Sequence, residues 1–331
     1  MIIPRGHLAR AFSSDTESPA LIVVAGPTGS GKTALAIELA RRLDTEILSA
    51  DSMQCYRGME IGTAAPTREE QAVAVHHFVS FLSPDAVMAA GEYERLARIE
   101  AERLNGLGKT VVVAGGSGLY ISALVDGLFE GPPSNPGIRR RLKEEAETLG
   151  NAALMARLRT VDPDYAASMT SENDLVRIIR ALEVHETTGI PLSVMHREHR
   201  ARTRPLPAIQ VGLDWDRALL YERLNWRVDA MLREGWLAEV EGLIEGGYGP
   251  DLERLKALGY REMAAYLRGE QSLEAAAEAA KQHHRRYAKR QLTWFRADER
   301  VQWLAATPDT SAESLADQIL DRWPVLRRGV Q

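Results

Sequence analysis

Two hydrophobic rhythms alternate along this chain. LIVVAG (21–26) and TVVVAGG (110–116) are short apolar runs closed by glycine, which predicts buried strands, and TEIL (45–48) predicts another that ends near Asp51. Between them Leu35, Leu39 and Leu43 recur every four residues, and a charged segment from about Glu92 to Leu104 has helical character. Strands alternating with helices predict a parallel α/β sheet. GPPSNPG (131–137) then breaks the pattern, and the chain is helical and charged to about residue 200. TRPLP (203–207) breaks it again, AIQVGLDW (208–215) predicts a strand returning to the sheet, and residues 216–296 are helical. SENDLVRIIRALEVHETTG (171–189) reads as a helix opened by a capping box of Ser171 and Asp174.

The expected architecture is α/β: a P-loop NTPase-like parallel sheet core (20–130 and 204–304) with an all-helical insertion (131–203) and a helical C-terminal part. Residues 1–19 and 305–331 are expected as tails. The 331-residue length suits two domains. Composition is that of a globular protein, 45% hydrophobic and 26% charged, and a net charge of −5 gives no overall pull toward nucleic acid. A single cysteine, Cys55, allows no intrachain disulfide, and no apolar run nears the roughly 18 residues that span a bilayer. A cytoplasmic protein without membrane attachment is expected.

Three motifs carry candidate chemistry. First, the strand at 21–26 runs into Gly26, Pro27, Thr28, Gly29, Ser30, Gly31, Lys32 and Thr33, then a helix. Glycines let backbone N–H groups approach phosphate oxygens; the lysine adds charge and the Thr33 hydroxyl a Mg²⁺ ligand. This pattern predicts a diphosphate site and leaves open what the diphosphate is attached to. Second, Asp51 follows a strand, beside Ser49, Ser52, Gln54, Tyr56 and Arg57. At a carboxyl end of such a sheet it faces the ligand crevice and suits a general base; capping a turn is the alternative. VVVAGGSGLY has no acid at its end before Asp126, which argues against an ATPase or GTPase but leaves a small-molecule kinase open.

Third, KQHHRRYAKRQLTWFR (281–296) holds six cations and no acid, with Tyr287 and Trp294 on one face and Arg286 and Arg290 on another. Cations interleaved with aromatics suit an RNA backbone and unstacked bases; a solvated face over a buried Trp294 and Phe295 is the alternative. Arg177 and Arg180 could bind phosphate or pair with Asp174 and Glu183.

These pieces together resemble the tRNA dimethylallyltransferases, also called tRNA isopentenyltransferases. The resemblance rests on GPTGSGKT (26–33), DSMQCYRGMEIGTA (51–64), HHF (76–78), GGSGLY (115–120), NDLVRIIRALEV (173–184), TGIPLS (188–193), RVDAMLREGWLAEV (227–240), LGYRE (258–262) and YAKRQLTWFR (287–296), in order. The family often has Ala at Gly29, Thr at Ser117 and His-Pro at Ser171-Glu172.

The resemblance implies transfer of a dimethylallyl group from dimethylallyl diphosphate to N6 of the adenosine just 3′ of the anticodon (position 37), with diphosphate released. It implies Mg²⁺ on Thr33 with the diphosphate, Asp51 as base, and Lys32, Thr33 and Arg227 around the leaving group, Arg227 preceding a helix. The partners implied are dimethylallyl diphosphate and the tRNA anticodon stem-loop, with the protein a monomer. The implied RNA side comprises Asp51, Ser52, Met53 and Gln54; Ser117 and Arg139; Val176, Arg177, Ile178, Ile179 and Arg180 of the insertion; Lys256, Gly259, Tyr260 and Arg261; and Lys289, Arg290, Gln291, Thr293, Trp294 and Arg296. Rival readings are a P-loop small-molecule or nucleoside kinase, an isopentenyltransferase acting on free AMP or ADP, and a non-enzymatic RNA-binding protein.

Overall fold

The structure, a computed structural model, describes residues 19–169 and 171–329. Six strands form one parallel sheet: β1 (Leu21–Ala25), β2 (Ile47–Ser49), β3 (His76–His77), β4 (Val111–Gly115), β5 (Ala208–Trp215) and β6 (Val301–Ala306), in the order β3-β2-β4-β1-β5-β6. β1 is fully buried because its residues alternate between two cores. Leu21, Val23 and Ala25 face one; Ile22 and Val24 face the other. β4 repeats this with Val111 and Val113 against Val112.

The helices before the break are α1 (Lys32–Arg42), α2 (Glu60–Thr63), α3 (Arg68–Val73), α4 (Ala90–Gly106) and α5 (Gly118–Asp126). After β5 come α11 (Arg217–Arg233), α12 (Trp236–Glu245), α13 (Gly249–Leu255), α14 (Tyr260–Leu267), α15 (Leu273–Arg296) and α16 (Ala312–Arg322). α4, α5, α12 and α14 cover one face of the sheet, and α1 and α16 the other.

Residues 126–205 form a separate compact unit with its own core, built from α6 (Pro136–Leu149), α7 (Asn151–Val161), α8 (Pro163–Ala167), α9 (Leu175–Thr188) and α10 (Leu192–Arg202). The expected insertion began at 131. The unit begins earlier because Phe129 packs into it, edge-on to His196 with ring centroids 5.0 Å apart. At its centre the fully buried Glu183 accepts from Arg139 (2.9 and 3.0 Å), Arg180 (2.7 Å) and the backbone N–H of Asn135 (2.6 Å). The expected capping box does not form. α9 starts later, with Asp174 itself as N-cap accepting from the Arg177 N–H at 3.4 Å, while Ser171 accepts from Asn173.

The segment expected as a C-terminal tail is part of the sheet and its cover. β6 pairs with β5 from Gln210↔Val301 to Trp215↔Ala306, and Leu315, Ala316, Ile319 and Leu320 of α16 join the core under α1. The expected tail at 1–19 lies, up to residue 18, outside the described residues.

Candidate active site

The carboxyl ends of β2, β4 and β1 are neighbours, so the loops that leave them converge. After β1 the chain turns through Gly26, Gly29 and Gly31 at φ of 141°, 76° and 94°, values that disfavour a side chain. Space above Gly31 is open, so a ligand can reach the amides at the start of α1. After β2, Ala50 is tied to the β4 end: its N–H donates to Ala114 O (2.8 Å) and its carbonyl accepts from Ser117 N (3.0 Å). A Cβ on Gly115 would stand 2.2 Å from that carbonyl, so glycine permits the approach. Asp51 therefore leaves β2 beside the glycine loop.

One Asp51 oxygen, Oδ1, closes a local turn by accepting from Met53 N (2.9 Å) and Gln54 N (3.4 Å). Among the described residues no hydrogen-bond donor reaches its other oxygen. The turn-capping reading thus holds for Oδ1, and the second oxygen is left for a ligand.

Lys32 rests its ammonium on Pro27 O at 2.7 Å. Burial draws its pKa from 10.5 down to about 7, the Asp51 carboxylate pulls upward and the Arg227 guanidinium pushes downward. Lys32, Asp51 and Arg227 therefore lie within each other's field. Arg227 sits inside α11 rather than before a helix, as the sequence suggested, because α11 starts at Arg217 behind an Asp216 cap. Burial lowers its pKa too, Asp51 opposing, and its Nε is buried without a partner. A half-buried cationic donor with an unpaired Nε suits an anionic ligand.

The pKa of Lys32 has a measurable consequence. A bound diphosphate stabilises the ammonium, so binding takes up a proton wherever free Lys32 is neutral. Affinity is full below the free pKa and is lost as pH rises through it. Diphosphate affinity is expected to fall roughly ten-fold from about pH 7 to about pH 8.5. Calorimetry in buffers of different ionisation enthalpy checks this; a pH-independent affinity with no proton uptake contradicts it.

Two neighbours escaped the sequence reading, and a third, Gln291, was expected on the RNA side instead. Arg223 lies over Trp215 at 4.5 Å and donates to Gly29 O at 3.1 Å, bracing the loop. His284 is buried with both ring nitrogens unpartnered, its pKa drawn down to about 3 by burial and by Arg227. Gln291 is buried and donates to Gly116 O at 2.9 Å while accepting from Thr28 N at 2.8 Å. Their signal was weak. Only the burial period of α15, through Ala276, Ala280, His284, Ala288 and Gln291, places the last two inward.

The residues expected on the RNA side divide. In the sheet unit, Lys256, Arg261, Lys289, Arg290, Thr293 and Arg296 are exposed, and Ser52, Met53, Gln54, Ser117 and Trp294 are half-buried. Arg261 pairs with Glu253 (2.6 Å) and Arg296 with Asp214 (3.0 Å). In the helical unit Val176 is exposed, while Arg139, Arg177 and Arg180 hold carboxylates.

Four expectations are corrected: the side chains of Ile178, Ile179, Tyr260 and Gln291 are buried and face protein. Ile178 and Ile179 fill the helical unit's core, and the Tyr260 hydroxyl donates to Glu239 (2.7 Å) and reaches Met59 O at 3.0 Å. Gly259 is packed too: a Cβ there would lie 2.1 Å from Trp236. A separate groove of about 430 Å³, lined by Arg57, Glu60, Ser83, Glu239 and Tyr248 among others, includes none of the loop, Asp51 or Arg227.

On α15 the exposed positions Arg286, Lys289, Arg290 and Thr293 make one stripe at helical spacing, opposite Gln291. Lys281 and Arg285 are tied to Asp229 (2.7 Å) and Glu278 (2.9 Å), but among the described residues Arg286, Lys289 and Arg290 have no carboxylate partner. Arg290 also lies over the Tyr287 ring at 5.5 Å, so the stripe presents three cations free of carboxylates, a surface that suits a phosphate backbone.

A glycine cradle at a helix start, a half-buried lysine and arginine, and a carboxylate with one open oxygen suit a P-loop enzyme that handles a diphosphate ester. Residues 54–298 match the model of the IPP transferase family, and the chain belongs to that family. It is 49% identical over 286 residues to the tRNA dimethylallyltransferase of Syntrophobacter fumaroxidans, covering 86% of this chain and 83% of that protein. Among solved structures, the tRNA isopentenylpyrophosphate transferase of Bacillus halodurans is 34% identical with a TM-score of 0.67, covering 93% of this chain and 98% of that one. A eukaryotic dimethylallyltransferase acting on tRNA is 28% identical with a TM-score of 0.76, covering 95% and 81%.

Proposed function

We propose that the protein transfers a dimethylallyl group from dimethylallyl diphosphate to N6 of the adenosine immediately 3′ of the anticodon in tRNA, releasing diphosphate. The observation that carries this is the open glycine cradle at the start of α1, with Lys32 resting on Pro27 O and Asp51 keeping one carboxylate oxygen free of donors. Family membership and relatives named tRNA dimethylallyltransferase support the reaction class and disfavour the kinase alternative.

The exocyclic amine of adenine is a weak nucleophile because its lone pair is delocalised into the ring. In the proposed step N6 bonds to the allylic carbon, the C–O bond to diphosphate breaks, and the open oxygen of Asp51 takes the N6 proton. Lys32, the cradle amides and Arg227 stabilise the charge gathering on the diphosphate. Thr33, at the start of α1, would hold a Mg²⁺ together with diphosphate oxygens. When bound, Mg²⁺ supplies further charge neutralisation on the leaving group.

Extruding the target base costs on the order of a few kcal/mol, which RNA contacts along the outer face of α15 offset. The helical unit, whose α10 ends in exposed arginines such as Arg202, is assigned to the same RNA. No helix is long and apolar enough to cross a membrane among the described residues.

The direct test mixes the protein with Mg²⁺, labelled dimethylallyl diphosphate and unmodified tRNA, then with AMP, then with ATP and hydroxyl acceptors. Label is expected in tRNA only; label in AMP, or phosphate transfer from ATP, defeats the proposal. Replacing Lys289 and Arg290 together by alanine should weaken tRNA binding and reduce the slope of log affinity against log salt by about 1.5. An unchanged slope returns that stripe to an ordinary solvated face.

A further inference from the structure

Gln291 lies on the inner face of α15, opposite the cationic stripe, and both ends of its amide are used. Its Oε1 accepts the Thr28 N–H at 2.8 Å, and its Nε2 donates to Gly116 O at 2.9 Å. Thr28 belongs to the phosphate cradle and Gly116 to the glycine loop after β4, so one side chain bridges two site loops. The contact is close by construction. A Cβ on Gly116 would lie 2.1 Å from the Gln291 amide, and one on Gly118 would lie 2.1 Å from Trp294, one helical turn on.

The bond to Thr28 matters for a geometric reason. The Thr28 N–H and the Pro27 C=O are two ends of one peptide unit, which is planar. The Pro27 carbonyl carries the Lys32 ammonium at 2.7 Å and the Ser30 N–H at 3.3 Å. Fixing the N–H end therefore fixes where the carbonyl points, and with it where Lys32 rests. Without Gln291 the plane is free to rotate, and the buried Gly116 carbonyl and the half-buried Thr28 N–H lose their partner, which drives the loops to rearrange.

We propose that Gln291 is a positioning residue for the diphosphate site. It sets the plane of the 27–28 peptide and ties it to the glycine loop after β4, so that the cradle and Lys32 are preorganised before the diphosphate arrives. This rests on the reading of the loop as the diphosphate site given above, and it removes Gln291 from the set of RNA-contacting side chains. Gln291 does not touch the reacting atoms; it acts through Thr28, Pro27 and Gly116.

Two variants test it. Gln291→Met keeps the volume and deletes both hydrogen bonds. It is expected to raise KM for dimethylallyl diphosphate about ten-fold or more while tRNA affinity stays within about two-fold. Gln291→Glu gives a signature that packing alone would not produce. When its carboxyl is protonated it accepts from Thr28 and donates to Gly116, restoring both bonds; when ionised it cannot donate and sets a negative charge beside the diphosphate. Its activity relative to wild type is therefore expected to rise several-fold as pH falls from about 8.5 to about 6.

A wild-type KM in Gln291→Met, or a flat relative pH profile in Gln291→Glu, overturns the assignment. So does an equal loss of diphosphate and tRNA binding in Gln291→Met, the pattern of general misfolding. Wild-type protein that transfers no label to tRNA instead defeats the function proposed above, so the two failures are distinguishable.

Discussion

Asp51→Asn is expected to lower turnover about a thousand-fold while tRNA binding stays near wild type, because a positioned general base contributes roughly 10²–10⁴-fold. Asparagine keeps the shape, and its side-chain oxygen can still accept from Met53 and Gln54, so the turn that seats the residue survives. What is lost is the open oxygen's ability to take a proton. One side effect is built into the site. The Asp51 charge holds the Lys32 pKa up, so neutralising it shifts Lys32 further toward the uncharged form. At alkaline pH the variant would then bind diphosphate more weakly as well. Measured with dimethylallyl diphosphate saturating, where bound Lys32 is held as the ammonium, the loss in rate separates chemistry from the change in binding. Single-turnover rates under that condition and tRNA affinity check it. A turnover loss matched by an equal loss of tRNA binding contradicts the base assignment.

Lys32→Met is the second large effect. Methionine fills similar space without the charge, and removing such a charge-stabilising donor costs about 10²–10³-fold in turnover. Stability should respond in the opposite direction. The folded-state pKa is depressed from 10.5 to about 7, so between these values the unfolded chain binds more protons than the folded one. The lysine's unfavourable contribution is full below about pH 7 and fades as pH rises toward 10.5. The variant is therefore expected to melt higher than wild type at pH 7, with the gap closing toward alkaline pH. Melting curves across that range test it; a variant less stable at pH 7 would mean that the contact with Pro27 outweighs the cost of the buried charge.

Much of this site was readable from the chain because its parts are local. The cradle needs glycines at fixed offsets between a strand and a helix, and Asp51 needs only to follow a strand, so both are written in consecutive residues. β1 and β4 were readable for the same reason: four or five apolar residues in a row closed by glycine. Interactions across long sequence separations were not. Thr28 and Gln291 meet across 263 positions, and nothing near Gln291 distinguishes an inward glutamine from one facing RNA. Tyr260 and Ile178 were misplaced because a family motif says which residues recur together, not which way each side chain turns. β3 has two residues and β6 sits on the sheet edge with mixed exposure, so neither produces a clear hydrophobic rhythm. α16 has that rhythm in Leu315, Ile319 and Leu320, and reading its segment as a tail overlooked it.

The account stands on the loop gripping a group that departs from carbon. Dimethylallyl diphosphate carrying ¹⁸O in the bridge between carbon and phosphorus decides this in one reaction with tRNA. Rupture of the carbon–oxygen bond sends the heavy oxygen out with the released diphosphate, which is the predicted result. Heavy oxygen recovered in dimethylallyl alcohol would mean that phosphorus is attacked instead, and the protein would then be a phosphoryl-transfer enzyme.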